Sequence, residues 1–183
     1  MSRDTPHVVE RAAAAVALAA CAPVLALAAV AIRAEDGGSA LFSQDRVGLR
    51  RRPFRVWKLR TMSGGEVTGV GAVLRRTKLD EMPQLWNIAR GEMRLVGPRP
   101  ITPDDVARLG WDTEAADARW SVVPGITGPT QLSTICDAER ALRRDTRFAR
   151  DATTRDALEM IALSVVGAFA GREAIAPRVE RWS

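Results

Sequence analysis

The sequence contains one histidine, two cysteines and no tyrosine among its 183 residues. Cys21 and Cys136 are far apart, and Cys21 falls in an apolar stretch, so no disulfide framework or zinc site can be built from them. The lone histidine, His7, precedes that stretch, which leaves little prospect of histidine-based acid–base chemistry. Any catalysis must therefore rest on carboxylates, hydroxyls, metal ions and cations.

Basic residues outnumber acidic ones, which gives a formal net charge of +5 and a pI of about 10.4. Nucleic acid, anionic lipid and phosphorylated substrates all suit such a protein, and charge alone does not choose among them. The sequence has no evident aromatic stacking platform or groove-reading helix, and its apolar segments argue against a nucleic-acid binder. The length is sufficient for one compact domain with a membrane segment attached.

The stretch Ala12–Ile32 carries no charged residue and is flanked by Arg11 and Arg33. It is long enough to cross a bilayer core of roughly 30 Å, but Pro23 at its centre removes a helical hydrogen bond and favours a kink. Basic clusters lie on both sides of the stretch, and the positive-inside tendency favours keeping both on the cytoplasmic side. A re-entrant helix is therefore favoured over a straight span and over a cleaved signal peptide, and all three interpretations stay open.

The next segment, Ser43–Met62, contains seven basic residues and one acid. Within it, Phe54–Arg60 alternates apolar and basic residues, which predicts a strand with one charged face, and Arg50–Pro53 predicts a turn before it. Two interpretations stay open for this segment. It is either a solvated hairpin near anionic lipid headgroups or a wall that binds phosphate.

Helical periodicity dominates the rest of the chain, so the expected fold is mainly α with a small β element (α+β). The predicted helices are Val67–Arg76, one beginning at Asp80, a short one opened by Pro103 with Thr102 as cap, Asp112–Trp120, Ala138–Arg150, and Asp156–Phe169 with Thr153 or Thr154 as cap. Val96–Pro100 and Val123–Pro129 are predicted to be loops.

Three of these helices carry further expectations. In the helix from Asp80, the residues expected to share an apolar face are Met82, Leu85, Trp86 and Ala89. The highly charged Ala138–Arg150 indicates a solvated surface. The largely apolar Asp156–Phe169 fits either ordinary core or a membrane-surface helix, and the membrane is favoured because the chain offers little else to bury it.

Two adjacent carboxylates, Asp80 and Glu81, lie in the run Leu74–Pro100 among several cations. The flanking cations are Arg75, Arg76, Lys78, Arg94 and Arg99. Acids can hold a divalent metal or attack phosphorus, while the cations hold phosphate oxygens. With Asp80 as N-cap, the pair would lie at a helix N-terminus, where free N–H groups favour anions. The alternative is that Asp80 is only a cap and Glu81 only a favourable first-turn acid.

Several ordered blocks of the chain resemble the bacterial sugar transferases, small monotopic phosphoglycosyl transferases that begin glycan assembly on a polyprenyl phosphate carrier. The blocks are the apolar segment with Ala22-Pro23, F-S-Q-D-R-V-G (Phe42–Gly48), P-F-R-V-W-K-L-R-T-M (Pro53–Met62), the run Leu74–Pro100 and P-G-I-T-G (Pro124–Gly128). Together they cover nearly the whole chain in the family's order, which makes a chance match negligible.

This resemblance implies a particular architecture. Residues 1–36 would form a re-entrant membrane helix whose break is made by Pro23. Residues 37–183 would form a catalytic domain seated on interfacial amphipathic helices, at the cytoplasmic face of the bacterial inner membrane. Larger relatives carry extra transmembrane helices ahead of the catalytic part, so the chain is expected to be the minimal form, and a homodimer is compatible with it.

The resemblance also implies a reaction. Asp80 would attack the sugar-bearing phosphorus of a UDP-sugar, release UMP and hold the phosphosugar covalently until polyprenyl phosphate accepts it. Glu81 would hold Mg2+ against the diphosphate. By matching position, the phosphate-binding candidates are Lys58, Arg60, Arg75 and Arg99. Exopolysaccharide or another bacterial polysaccharide would be the downstream glycan.

The chain departs from the family pattern at Val123, where an arginine is usual, and in the segment Pro129–Thr134, which lacks the usual tryptophan and a second arginine. These departures spare the acid pair, so the reaction type is expected to hold while the sugar and nucleotide pocket changes. The alternative function is a catalytically altered or inactive membrane-anchored basic module that binds anionic lipid or a polyanion. That alternative gives no reason for Asp80-Glu81 to lie among cations.

Overall fold

A computed structural model describes residues 8–134 and 137–182. The elements are α1 (Val8–Asp36), β1 (Leu41–Val47), β2 (Pro53–Leu59), β3 (Met62–Ser63), β4 (Glu66–Val67), α2 (Gly69–Thr77), α3 (Gln84–Arg90), β5 (Arg94–Val96), α4 (Pro103–Leu109), α5 (Asp117–Trp120), β6 (Gly125–Thr127), α6 (Pro129–Leu132), α7 (Ala138–Asp151), α8 (Thr154–Ala170) and α9 (Ala176–Val179). Short 3-10 turns occur at Leu49–Arg51, Leu79–Glu81, Glu114–Ala116 and Glu180–Trp182. The mainly helical fold with small sheets is confirmed; His7 and Cys136 lie outside the described residues.

The strands form three two-stranded sheets within the described residues: β1 with β2, β3 antiparallel to β4, and β5 parallel to β6. In the last sheet Arg94 is opposite Gly125 and Val96 is opposite Thr127. The predicted loop Val123–Pro129 is therefore wrong over its middle, because it contains β6. Local turn residues could not reveal this strand, since its partner is distant in the sequence.

The described residues divide into two compact units. The N-terminal unit comprises residues 8–45 and 55–91, and the C-terminal unit comprises residues 46–54 and 92–182 without 135–136. The predicted division into residues 1–36 and 37–183 stays a prediction, because the two compact units follow contacts within the fold and not the membrane boundary.

The helix α1 is the dominant element of the N-terminal unit. Among the described residues it is the one helix long and apolar enough to cross a membrane. Its assignment continues through Pro23, so the predicted helix break stays a prediction. Its last turns pack into the core, where Ile32 is buried with Ala40, Leu59 and Leu74. Most of its other apolar side chains are exposed, including Val16 and Leu27.

Both ends of α1 are bound to other parts of the same unit. Near its start, Arg11 Nε donates to the carbonyl oxygen of Ala89 in α3 at 2.9 Å. Near its end, Glu35 Oε1 accepts from the backbone N–H of Gly69 in α2 at 2.8 Å. Other parts of the same unit thus contact the helix on either side of the apolar stretch.

Two apolar clusters lie in the described part of the C-terminal unit. One contains Phe148 and Trp182, whose ring centroids are 5.4 Å apart, together with Met160 and Leu163 of α8. The other surrounds Trp111 and Trp120 and includes Ile101, Ala116 and Ala141. The predicted helix Asp112–Trp120 is split into the turn Glu114–Ala116 and the short α5.

The helix α7 differs from its prediction as a solvated surface. Arg144, Asp145 and Phe148 are buried on one of its faces. A pattern rich in charge conceals this face, because two of the buried residues are themselves charged and form ion pairs with residues distant in the sequence. The solvated-surface prediction is therefore wrong for that face of α7.

The helix α8 begins as predicted. Thr153 is its N-cap, and Asp156 completes a capping box by accepting from the Thr153 backbone N–H at 2.9 Å. Met160 and Leu163 are buried, whereas Leu158, Val165 and Phe169 are largely exposed. The short helix α9 follows it. Its exposed apolar face is what a membrane-surface helix requires.

Candidate active site

The acid pair lies in the turn that joins α2 to α3. Lys78 ends α2 with a left-handed backbone (φ 61°), and Asp80 and Glu81 then occupy the 3-10 turn. The helix α3 begins only at Gln84, with Pro83 before it and no side-chain cap. The prediction that Asp80 is a helix N-cap is therefore wrong. An N-cap needs extended backbone, whereas the reversal at Lys78 has already returned the chain to helical turns.

The apolar face expected for α3 is corrected by its packing. Its buried side chains are Gln84, Leu85, Asn87 and Ile88, whereas Trp86 is exposed. Asn87 is buried because its side chain forms hydrogen bonds with the backbone of β2. Its Oδ1 accepts from the Trp57 N–H, and its Nδ2 donates to the Arg55 carbonyl. The polar residue thus fastens α3 to the strand, which apolar periodicity could not predict.

Asp80 is a buried carboxylate with an unsatisfied oxygen. The residue is 9% exposed, and its Oδ1 has no hydrogen-bond partner. Burial raises the pKa of Asp80 above its ordinary value, and the adjacent negative charge of Glu81 raises it further. The positive charges of Lys58 and Lys78 act in the opposite direction. A buried carboxylate oxygen with no donor is unfavourable for folding alone, so it marks a candidate for chemistry.

Glu81 is bound by a cation from β2. Its Oε1 accepts from Lys58 Nζ at 3.3 Å, and both side chains are about 30% exposed. The strand predicted for Phe54–Arg60 is present as β2, so its pleat delivers Lys58 to the acid pair. The structure thus brings together three residues predicted for the site: Asp80, Glu81 and Lys58.

Arg75 lies on α2 and is oriented by a residue that follows β2. Its Nε donates to Thr61 Oγ1 at 2.9 Å, and Thr61 is buried. The close approach of α2 to this point requires Gly71, because a side chain there would overlap the Thr61 carbonyl. Arg75 therefore projects from the helix that leads directly into the acid pair.

Arg60 is the third predicted phosphate contact in the N-terminal unit. It is bound to the end of α1. Its guanidinium forms a two-point ion pair with Asp36, with Nη1 2.7 Å from Oδ2. Its Nε also donates to the Ser39 carbonyl at 2.5 Å. Whether Arg60 contacts substrate stays a prediction, but in the structure its donors serve the junction after α1.

Arg99 belongs to the C-terminal unit, in the segment after β5, and is exposed. In the same unit, burial and the charge of Arg99 together lower the pKa of Arg46. Arg46 Nη1 donates to the Pro100 carbonyl at 3.2 Å, next to Arg99 in sequence. Two guanidinium groups near each other suit an anion. Arg46 was missed from sequence, although it lies in the family block Phe42–Gly48.

The segment that departs from the family pattern has internal partners. Thr130 Oγ1 donates to Asp145 Oδ1 at 2.6 Å, and Gln131 Nε2 donates to the Gly125 carbonyl at 3.1 Å. Ser133 Oγ donates to Glu180 Oε1 at 2.6 Å. These side chains therefore stabilise the C-terminal unit itself, and the departures from the pattern form the short helix α6.

A cavity of about 270 Å³ lies where α1 meets β1. Its lining residues are Ala29, Val30, Arg33, Ser39, Ala40 and Leu41. The walls are mainly apolar and Arg33 is the charged group among them. Such a lining fits an amphiphile with an anionic head.

The acid pair meets the chemical requirements of a magnesium site. Within residues 8–134 and 137–182, no group of three or more His, Cys, Asp or Glu side chains is placed to hold a metal. Mg2+ does not require one, since it usually takes one or two protein carboxylates together with water and substrate phosphates. Glu81 provides one such carboxylate, next to the unsatisfied oxygen of Asp80.

Sequence comparison defines the class of protein to which this site belongs. The profile of the family described as "Bacterial sugar transferase" matches residues 2–171. The chain therefore belongs to the bacterial sugar transferase family.

Curated relatives carry related names. A "UDP-glucose:undecaprenyl-phosphate glucose-1-phosphate transferase" of Caulobacter vibrioides is 44% identical over 141 residues, which are 69% of this chain and 52% of that protein. A protein of the same name from Escherichia coli K12 is 32% identical over 83% of this chain and 37% of its own length. The "Uncharacterized sugar transferase EpsL" of Bacillus subtilis is 36% identical over 66% of this chain and 64% of its own length. The matched part of this chain thus spans about half or less of the two glucose-1-phosphate transferases.

Proposed function

We propose that this protein is a phosphoglycosyl transferase that moves a sugar-1-phosphate from a UDP-sugar to polyprenyl phosphate, the first membrane step of a bacterial polysaccharide pathway. The observation that carries the proposal is the buried, unpartnered carboxylate oxygen of Asp80 beside Glu81 and Lys58. Family membership and the names of the relatives support the same reaction class.

The reaction divides into two displacements at phosphorus. First, an Asp80 oxygen bonds to the sugar-bearing phosphorus, the bridging P–O bond breaks, and UMP leaves with that electron pair. Second, a phosphate oxygen of the polyprenyl acceptor bonds to the same phosphorus, and the Asp80–phosphorus bond breaks to regenerate the carboxylate. The products are UMP and a polyprenyl diphosphate sugar.

The surrounding residues would stabilise charge during both displacements. Lys58 and Arg75 are the proposed phosphate contacts beside the acid pair, and Arg99 is a proposed phosphate contact within the C-terminal unit. Glu81 would hold Mg2+, which would neutralise the negative charge of the diphosphate. The positive charge of Lys58 also stabilises the ionised form of Asp80 and thereby lowers its pKa.

We further propose that the catalytic part lies at the cytoplasmic face of the bacterial inner membrane, with α1 as a re-entrant helix bent at Pro23. Arg11 and Glu35, on opposite sides of the apolar stretch, both bind backbone atoms of the N-terminal unit. That arrangement supports a helix that returns to the side from which it entered. The exposed apolar face of α8 supports its seating in the interface.

The cavity between α1 and β1 is the proposed entry of the lipid acceptor. Its apolar walls suit isoprene units, and Arg33 suits the terminal phosphate. A lipid confined to the bilayer would meet this cavity at the end of the membrane helix, which is where a two-dimensional search would deliver it.

The direct test is UMP release by the full chain in nanodiscs, with a panel of UDP-sugars, Mg2+ and undecaprenyl phosphate. We expect turnover with at least one donor, and its loss in Asp80→Asn. With donor but no acceptor, intact mass should increase by one phosphosugar in the wild type and stay unchanged in Asp80→Asn. Folded, membrane-bound wild-type protein that neither releases UMP nor gains mass would support the alternative of a non-catalytic basic module.

A further inference from the structure

We infer that Glu35 and Asp36, which end α1, are positioning residues for the acid pair: one holds the start of α2 and the other holds the chain just after β2. This inference rests on the proposed function, because the geometry it concerns is that of Asp80. It assigns to the membrane helix a part in building the active site, in addition to its part in binding the bilayer.

Glu35 caps a helix that is distant in sequence. Its Oε1 accepts from the Gly69 N–H at 2.8 Å and its Oε2 from the Val70 N–H at 3.2 Å. These are the first two amides of α2, which have no partner inside the helix. Thr68 Oγ1 accepts from the next amide, that of Gly71, at 3.0 Å. Three consecutive amides are thus satisfied, two of them by α1, and the carboxylate also complements the helix dipole.

Asp36 holds the chain on the other side of the site. Its carboxylate binds the Arg60 guanidinium at two points, which fixes orientation as well as distance. Asp36 Oδ1 also accepts from the Gly38 N–H at 3.1 Å. The guanidinium lies so close to Gly38 that a Cβ there would be 2.6 Å from Arg60 Nη2. The junction is therefore built around this ion pair, and a side chain at position 38 would require the Arg60 guanidinium to shift.

Glu35 and Asp36 are connected to Asp80 through their binding partners, which are joined to the site by short lengths of chain. Arg60 comes two residues after Lys58, whose Nζ binds Glu81. The helix α2, which Glu35 caps, ends at Thr77 and passes through Lys78 into the turn that carries Asp80. Ile32 of α1, Leu59 of β2 and Leu74 of α2 are buried in one cluster between these ties. Movement of the α1 end would therefore displace both sides of the acid pair.

This arrangement distinguishes positioning from substrate binding. A residue that binds donor phosphate affects KM as well as kcat, whereas loss of a positioning residue acts mainly on kcat, because a misplaced nucleophile binds donor but reacts slowly. Arg60, which the sequence suggested as a phosphate contact, becomes a positioning residue under this inference.

The test uses Glu35→Gln and Asp36→Asn in the full chain in nanodiscs, with the donor that gives wild-type turnover. We expect kcat to fall about tenfold in each variant with the donor KM within about twofold of wild type. The matched control is Glu139→Gln, which removes an exposed carboxylate paired with Arg143 on α7 and should leave both constants unchanged. Wild-type kcat in both variants, or a rise in KM as large as the fall in kcat, would overturn the inference.

A charge swap gives a second, independent readout. The double variant Asp36→Arg/Arg60→Asp should recover several-fold of the kcat lost in Arg60→Asp alone, because the ion pair is re-formed with reversed polarity. If Arg60 instead binds substrate phosphate, the double variant will be no better than Arg60→Asp, and the inference fails for that pair.

Amide hydrogen exchange separates failure of this inference from failure of the proposed function. In Glu35→Gln, residues 69–77 should exchange faster than in the wild type, whether or not any donor is turned over. Unchanged exchange would refute the capping role alone. Wild-type silence across the donor panel would refute the proposed function alone.

Discussion

Arg119 and Asp145 form an ion pair inside the C-terminal unit, with Nε 3.0 Å from Oδ2 and both side chains at most 2% exposed. The guanidinium also lies 4.4 Å from the ring centroid of Trp120 and donates to the backbone carbonyl of Arg99. Asp145 in turn accepts from Thr130. The segment that carries Arg99, a proposed phosphate contact, is thus fastened to a buried charged network.

Removing one partner of this pair should strongly destabilise the protein. Burial raises the pKa of Asp145 and the charge of Arg119 opposes that rise, so Arg119→Met leaves an uncompensated buried carboxylate. We expect a loss of about 3–5 kcal/mol in the free energy of unfolding. Denaturant unfolding in detergent micelles, followed by tryptophan fluorescence, measures it.

Two comparisons make that result specific. Arg143→Met removes an exposed cation paired with Glu139 and should cost less than about 1 kcal/mol. The double variant Arg119→Met/Asp145→Leu should be more stable than Arg119→Met, because the unpaired charge is gone. A single variant as stable as the wild type would contradict a structural role for the pair.

Asp80→Asn should stabilise the fold while it abolishes activity. The folded-state pKa of Asp80 is raised, so its contribution to stability is present below the ordinary aspartate range, near pH 4, and is lost as pH rises through the raised value. At neutral pH the charged form is therefore unfavourable, and a neutral amide relieves it. We expect a higher Tm by a few degrees and a loss of turnover of about three orders of magnitude or more.

The control for this prediction is Asp45→Asn, which removes an exposed carboxylate paired with Arg55 in the same unit. It should leave Tm within about one degree of the wild type. A Tm for Asp80→Asn at or below that of the wild type at pH 7 would show that the charge is not unfavourable in the fold.

The pH dependence of turnover should respond to Lys58. Because the reaction needs ionised Asp80, the acid limb of kcat/KM should follow the pKa of that carboxyl in the Mg2+-loaded enzyme. The charge of Lys58 lowers that pKa, so Lys58→Gln should move the limb to higher pH, whereas Lys58→Arg should leave it near its wild-type position. Initial rates of UMP release across pH give the answer, and an unmoved limb in Lys58→Gln would refute the electrostatic role.

The Mg2+ concentration that the reaction requires should be set by Glu81. Chelation of Mg2+ should abolish UMP release and readdition should restore it. In Glu81→Gln the Mg2+ concentration for half-maximal rate should rise at least tenfold, because the proposed carboxylate ligand loses its charge. Titration of Mg2+ at saturating donor checks this, and an unchanged midpoint would exclude Glu81 as a ligand.

The exposed face of α8 should enter the lipid interface. Phe169 is 90% exposed, and Leu158 and Val165 lie exposed on the same helix. In a background of Cys21→Ala and Cys136→Ser, an environment-sensitive dye at Phe169→Cys should shift to the blue on reconstitution into nanodiscs. The same dye at Arg140→Cys, on the charged α7, should not shift. The absence of a blue shift at Phe169→Cys, as at Arg140→Cys, would place α8 away from the bilayer.

Local chemistry explains most of what could be predicted. Thr102 and Thr153 cap α4 and α8 because a side-chain hydroxyl satisfies a free helix amide within three residues. The alternation in Phe54–Arg60 predicted β2 because the strand pattern, like a helix cap, depends on residues that are close in the sequence. Where a partner is distant, prediction failed: β6 depends on β5, and the buried charges of α7 depend on Arg119 and Glu180.

The sequence by itself determined the family, the acid pair, the apolar helix and the main helices, because these depend on residue order and on contacts within a few residues. Only the tertiary structure decided that Asp80 lies in a turn with one unsatisfied oxygen, and that Arg60 forms an ion pair with Asp36. Burial and ion pairing depend on which distant segments pack together. The sequence does not show whether a carboxylate faces water, a metal ion or an arginine, because the packing of distant segments decides its surroundings.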